Sequence, residues 1–79
     1  MKIVFIGAGS AFGGRLSVDV LSREALQDST IALCDIDPER LQRVGSYVQK
    51  VIDSNSLPAT VQTSTDRREL LANADFVVL

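Results

Sequence analysis

The chain has 79 residues, 46% of them hydrophobic, with eight basic and ten acidic side chains and a net charge of −2. A chain of this length is one domain or part of one, and it buries only about 60% of its unfolded surface. Its interspersed charges leave no nucleic-acid or membrane footprint, and with no histidine these residues exclude His-based acid–base chemistry and the commonest transition-metal ligand.

The first element is a continuous apolar run, Lys2 to Ile6, of the kind found in parallel strands covered on both faces. Glycines follow at once: Gly7-Ala8-Gly9-Ser10-Ala11-Phe12-Gly13-Gly14. A helix is expected from Ala11 to about Ala25, with Phe12, Leu16, Val20, Leu21 and Ala25 on one face and Arg15, Asp19 and Arg23 on another. Gln27 to Ser29 reads as a loop, and Thr30 to Asp35 as a second buried strand rich in β-formers.

Asp37-Pro38-Glu39 is a helix start: Asp37 caps the free N–H groups, Pro38 fits the first turn, and Glu39 complements the dipole. Leu41, Val44, Val48, Val51 and Ile52 give this second helix its core face. Gly45 costs it about 1 kcal/mol against Ala, which close packing on the sheet or on a neighbouring helix would explain. Asn55 and Pro58 close the helix. A short, polar strand over residues 59–63 suits a sheet edge. A cap at Thr65-Asp66 then precedes a brief helix over 67–73, and Asp75 to Leu79 forms a last apolar strand.

The order β-α-β-α-β-(α)-β predicts an α/β fold, a Rossmann-like parallel sheet with strand order 3-2-1-4 and the glycine turn at its topological switch point. Ending on its most hydrophobic strand, the chain reads as residues 1–79 of a longer protein, the N-terminal part of a Rossmann-like domain. The unpaired apolar edge predicts a homo-oligomer. Lys2 precedes too few apolar residues for a signal peptide, and the lone Cys34 forms no internal disulfide; a cytoplasmic protein is expected, with neither membrane nor nucleic acid as a partner.

A strand, a glycine turn, a helix, and a second strand ending in an acid together point to a dinucleotide. Gly7 permits the tight turn, and Gly9 lets the backbone approach a diphosphate. Ser10, Ala11 and Phe12 supply helix-start N–H groups. The strict G-x-G-x-x-G spacing is not met, because Phe12 stands at the third glycine and Gly13 and Gly14 follow it. Asp35 can accept from a ribose hydroxyl pair and repels a 2′-phosphate, which favours NAD; its alternative role is to cap the next helix. Ile36 is placed beside the adenine, and Arg40 either there or in solvent. Thr65 and Asp66 either approach the adenosine side or cap the brief helix. Cys34 is read as a small buried hydrophobe, Tyr47 as packing or surface, and Arg67-Arg68 as a solvated pair.

These residues resemble the N-terminus of the family 4 glycoside hydrolases, in the α-galactosidase, α-glucosidase and α-galacturonidase branch. The resemblance runs through Met1 to Ser10, Ala25 to Leu41, and Thr65 to Val78. It implies an NAD- and divalent-metal-dependent glycosidase, with Mn2+ the usual metal, acting on small α-linked glycosides. Such an enzyme oxidises the sugar at C3, eliminates across the acidified C2 proton, and adds water, unlike the two-carboxylate route. It also implies that the metal ligands and the base lie beyond position 79, so that no catalytic or metal-binding residue falls here and the 79 residues alone turn nothing over. Malate/lactate-type dehydrogenases share the fold and the strand-end aspartate, and a non-catalytic NAD-sensing module remains a further alternative.

Overall fold

A computed structural model describes residues 1–8 and 11–78, and of Ala11, Phe12 and Gly13 the backbone alone. Its elements are β1 (Lys2–Ile6), α1 (Ala11–Leu21), a 3-10 turn (Glu24–Leu26), β2 (Thr30–Cys34), α2 (Pro38–Ser54), β3 (Thr60–Ser64), α3 (Arg67–Leu71) and β4 (Phe76–Val78). The four strands form one parallel sheet in the order β3-β2-β1-β4, as expected. Ile3 pairs with Ile31 and Phe5 with Leu33, so alternate residues of the two central strands share a face.

That alternation divides the core in two. Ile3, Phe5, Ile31 and Leu33 meet Leu41, Val48 and Ile52 of α2 and Leu21 of α1 on one face. Val4, Ala32 and Cys34 meet Leu70 of α3 on the other, with Ile6 and Ala74 packed against them. Val4, Ile31, Leu33 and Val48 are fully buried, each contributing about 1.5–3 kcal/mol. The outer strand β3 is mostly exposed, in keeping with its polar sequence and edge position.

Gly45 faces β3 so closely that a Cβ there would stand 3.0 Å from Thr63 Cγ2, which accounts for a glycine inside α2. Gly14 of α1 serves a helix–helix contact, a Cβ there lying 3.3 Å from the Tyr47 ring. β4 is fastened to β1 at its start: the Lys2 N–H donates to Asp75 Oδ2 at 2.7 Å, and the Asp75 N–H donates to the Lys2 carbonyl at 2.8 Å.

Two helices stop earlier than the sequence predicts. α1 ends at Leu21 instead of continuing to Ala25. The Ser22 hydroxyl donates to the Asp19 carbonyl at 2.6 Å, and Arg23 turns extended at φ −91°, ψ 120° ahead of the 3-10 turn. A local side-chain bond satisfies the end of the helix before the hydrophobic pattern runs out. α3 ends at Leu71 because Ala72 is extended and Asn73 takes a left-handed φ of 62°.

Candidate dinucleotide-binding cleft

The turn after β1 begins with Gly7 at φ 77°, a conformation that costs an L-residue side chain energy and glycine none. The N–H groups of Gly7 and Ala8 both donate to the Cys34 carbonyl, each at 2.9 Å. One acceptor at the end of β2 therefore pins the turn beside the following residue, Asp35. A Cβ on Gly7 would meet nothing within 4 Å, so glycine serves the backbone conformation here.

An open cleft of about 660 Å³ runs along the carboxyl ends of the strands and brings together Gly7, Asp35, Ile36, Arg40, Thr65 and Asp66. Six of the ten residues singled out from the sequence thus border one space. Gly9 and Ser10 lie outside the described residues. Ala11 and Phe12 open α1, with their side chains outside them too. A larger groove of about 740 Å³ lies between α2 and β3, but of the ten residues only Thr65 borders it. The chemistry gathers in the smaller cleft.

The carboxylates divide their work. Asp35 Oδ1 accepts the Asp37 N–H at 2.9 Å. Asp37 caps α2 as expected, its Oδ1 accepting from the N–H groups of Glu39 and Arg40 at 3.0 and 3.3 Å. Its second oxygen meets Arg40 Nε at 3.4 Å. Asp66 caps α3 by accepting the Arg68 N–H at 3.0 Å and is held by the Arg68 guanidinium at 3.3 and 3.4 Å. The capping alternative therefore describes the Asp66 carboxylate. Ile36 is 93% exposed, a large apolar side chain offered to the cleft.

Arg67 is the residue that the sequence reading missed. Of the arginine pair, Arg68 is bound to Asp66, whereas Arg67 borders the cleft. Its guanidinium forms no ion pair or hydrogen bond among the described residues. The usable signal was its place one residue after the Asp66 cap, at the same end of the sheet as Asp35. Cys34 forms part of the cleft floor but is buried. Burial raises its thiol pKa above the ordinary value; the Asp35 carboxylate adds to the rise and Arg67 opposes it.

The start of a glycine turn, a carboxylate and an exposed aliphatic side chain border one cleft, groups of the kind that a dinucleotide's diphosphate, ribose diol and base call for. They do not fit a metal ion. Among the described residues no three His, Cys, Asp or Glu side chains converge. Among the same residues no helix is long and apolar enough to cross a membrane.

Comparison with known proteins agrees with this architecture. The chain is 37% identical over 78 residues to an alpha-galactosidase of Rhizobium meliloti (strain 1021), and 39% identical over 79 residues to an alpha-glucosidase of Erwinia rhapontici. Those matches cover 98% and 99% of this chain but only 16% and 17% of the relatives. Among solved structures, a 6-phospho-alpha-glucosidase from gut microorganisms, in complex with NAD and glucose-6-phosphate, superposes with a TM-score of 0.84 at 26% identity, over 98% of this chain and 18% of that one. A 6-phospho-beta glucosidase of Thermotoga maritima shares the fold with a TM-score of 0.82 at 23% identity, over 98% of this chain and 18% of that one. The pattern of the family 4 glycosyl hydrolases matches residues 2–79. The chain belongs to that family.

Proposed function

We propose that residues 1–79 form the N-terminal part of the NAD-binding domain of a cytoplasmic, NAD- and divalent-metal-dependent glycosidase that cleaves O-glycosidic bonds of small α-linked sugars. The observation that carries this reading is the meeting of the Gly7 turn and Asp35 in one cleft, pinned together through the Cys34 carbonyl. Membership of family 4 and the likeness to an alpha-galactosidase and an alpha-glucosidase support the glycosidase class. The complex of a structural neighbour with NAD supports the cofactor.

The residues of this chain bind and orient. Gly9 lets the backbone approach the diphosphate, and the main-chain amides of Ser10, Ala11 and Phe12 receive it at the start of α1, where the helix dipole favours negative charge. Asp35 accepts from the adenosine ribose and disfavours a 2′-phosphate. Ile36 and Arg40 flank the base, and Thr65 and Asp66 close the adenosine side. When bound, NAD supplies the oxidising power for C3 of the sugar in the oxidation–elimination–addition sequence that the family resemblance implies. The divalent cation, Mn2+ in this reading, takes its ligands beyond position 79, as the family resemblance implies.

The test is an assay of the full-length protein on aryl α-glycosides, with and without NAD and Mn2+. Cleavage should require both, and a substrate deuterated at C2 should lose its label to solvent during turnover. Cleavage that needs neither addition after dialysis against chelator, with the label retained, sinks the proposal.

A further inference from the structure

We propose that Arg67 is a positioning residue for the base of the bound dinucleotide, its guanidinium stacking on the face of the purine in the cleft that Ile36 also borders. The inference rests on the cofactor reading above and extends it to a residue outside the ten candidates. Four observations converge on it. Arg67 borders the same cleft as Asp35 and Ile36. The other cleft arginine, Arg40, is engaged by Asp37, and the adjacent Arg68 by Asp66, while the Arg67 guanidinium has no such partner among the described residues. The charge of Arg67 is felt at the Cys34 thiol, beneath the carboxyl end of β2 where the ribose-binding acid follows. Finally, Ile36 stands 93% exposed next to Asp35, and a flat apolar ring is the kind of group that would cover it.

The chemistry decides between base and phosphate. A guanidinium is planar and weakly hydrated, so it stacks on aromatic faces as readily as it pairs with anions. Arg40 and Arg67 share the cleft with two carboxylates, Asp35 and Asp66, so the formal charges of these four cancel. A balanced wall of this kind does not draw a second anionic group. On the cofactor reading the diphosphate is received at the start of α1, apart from this wall. Because base and ribose are covalently joined, a sugar held at Asp35 brings the purine into the space bordered by Ile36 and Arg67.

Binding of NAD, AMP and adenosine to the full-length protein tests this, with calorimetry for the first two and NMR titration for adenosine. Arg67→Ala should weaken all three by the same factor, roughly three- to tenfold, at low and high salt alike. Arg67→Lys, which keeps the charge and loses the plane, should recover little. Adenosine binding left intact while AMP and NAD weaken, with recovery in Arg67→Lys, would mean a phosphate contact and overturn the assignment. Unchanged binding of all three overturns it as well. Asp35→Ala separates the two readings: if NAD binds the native protein and Asp35→Ala weakens it while Arg67→Ala does not, Arg67 alone is misassigned. Absence of NAD binding by the native protein removes both readings.

Discussion

The Asp35 carboxylate accepts the Asp37 N–H at 2.9 Å, while Asp37 turns its own carboxylate to the start of α2. Two acids two residues apart thus have separate work, one orienting the strand-to-helix turn at the cleft and the other capping the helix. Asp35→Ala is expected to weaken NAD binding by about 1–3 kcal/mol, the range for losing a charge-assisted hydrogen bond. Asp35→Asn keeps an acceptor for the Asp37 N–H but drops the charge, so it should raise NADP affinity relative to NAD. Calorimetry with both coenzymes checks this; an unaltered preference in Asp35→Asn would leave Asp35 with a structural role only.

Asp37 gives the complementary result. Asp37→Ala should lower stability by about 1 kcal/mol through loss of the cap. Asp37→Asn should restore most of it, because an amide oxygen still accepts from Glu39 and Arg40. Denaturant unfolding of the full-length protein measures both variants, and equal losses in the two would point to the Arg40 ion pair in place of the cap.

At Gly7 the φ of 77° meets open space. Gly7→Ala should therefore cost about 1–2 kcal/mol in backbone strain without any clash. Asn tolerates the left-handed region better than Ala, so Gly7→Asn should fall between the two. Thermal unfolding ranks the three proteins; Ala as stable as Gly would mean that the turn relaxes.

The contact between Gly45 and Thr63 sets a cycle. A methyl at Gly45 gains about 1 kcal/mol of helix propensity but would press on Thr63 Cγ2 at 3.0 Å. Gly45→Ala should destabilise the native background and stabilise a Thr63→Ser background, in which that methyl is gone. The same effect in both backgrounds would show that packing on β3 is not why glycine stands there.

The Cys34 thiol carries a pH signature. Its pKa in the folded protein lies above the ordinary value, about 8.5 for a free thiol. The unfolded chain therefore loses its proton first, and folding stability from this group is intact below that pH and falls as pH rises through the folded pKa. Alkylation of Cys34 by iodoacetamide should follow a pH–rate curve whose midpoint lies above the free-thiol value. A midpoint at or below it contradicts the shift.

The alternation of strands and helices, the sheet order and the Asp37 cap are legible in the sequence because each rests on local chemistry: apolar period, glycine placement, and an Asp-Pro-Glu start. The polar edge strand is legible for the same reason. The end of α1 is not, because one bond from the Ser22 hydroxyl to the Asp19 carbonyl overrides an apolar spacing that continues to Ala25. Arg67 is not legible either. Two adjacent arginines look alike in sequence, and only the turn at Asp66 sends one to the cap and the other to the cleft.

The thin side of the sheet has a consequence for recognition. α3 has five residues and places a single side chain, Leu70, in the core, and the wall carrying Arg67 is also tied to β3 by the Asp66 N–H donating to Ser64 Oγ at 3.0 Å and the Ser64 hydroxyl donating to Glu69 Oε2 at 2.8 Å. Any ordering of that wall on binding is drawn from the affinity of the ligand. Preorganising α3 is therefore a route to tighter coenzyme binding that adds no new contact to the coenzyme itself.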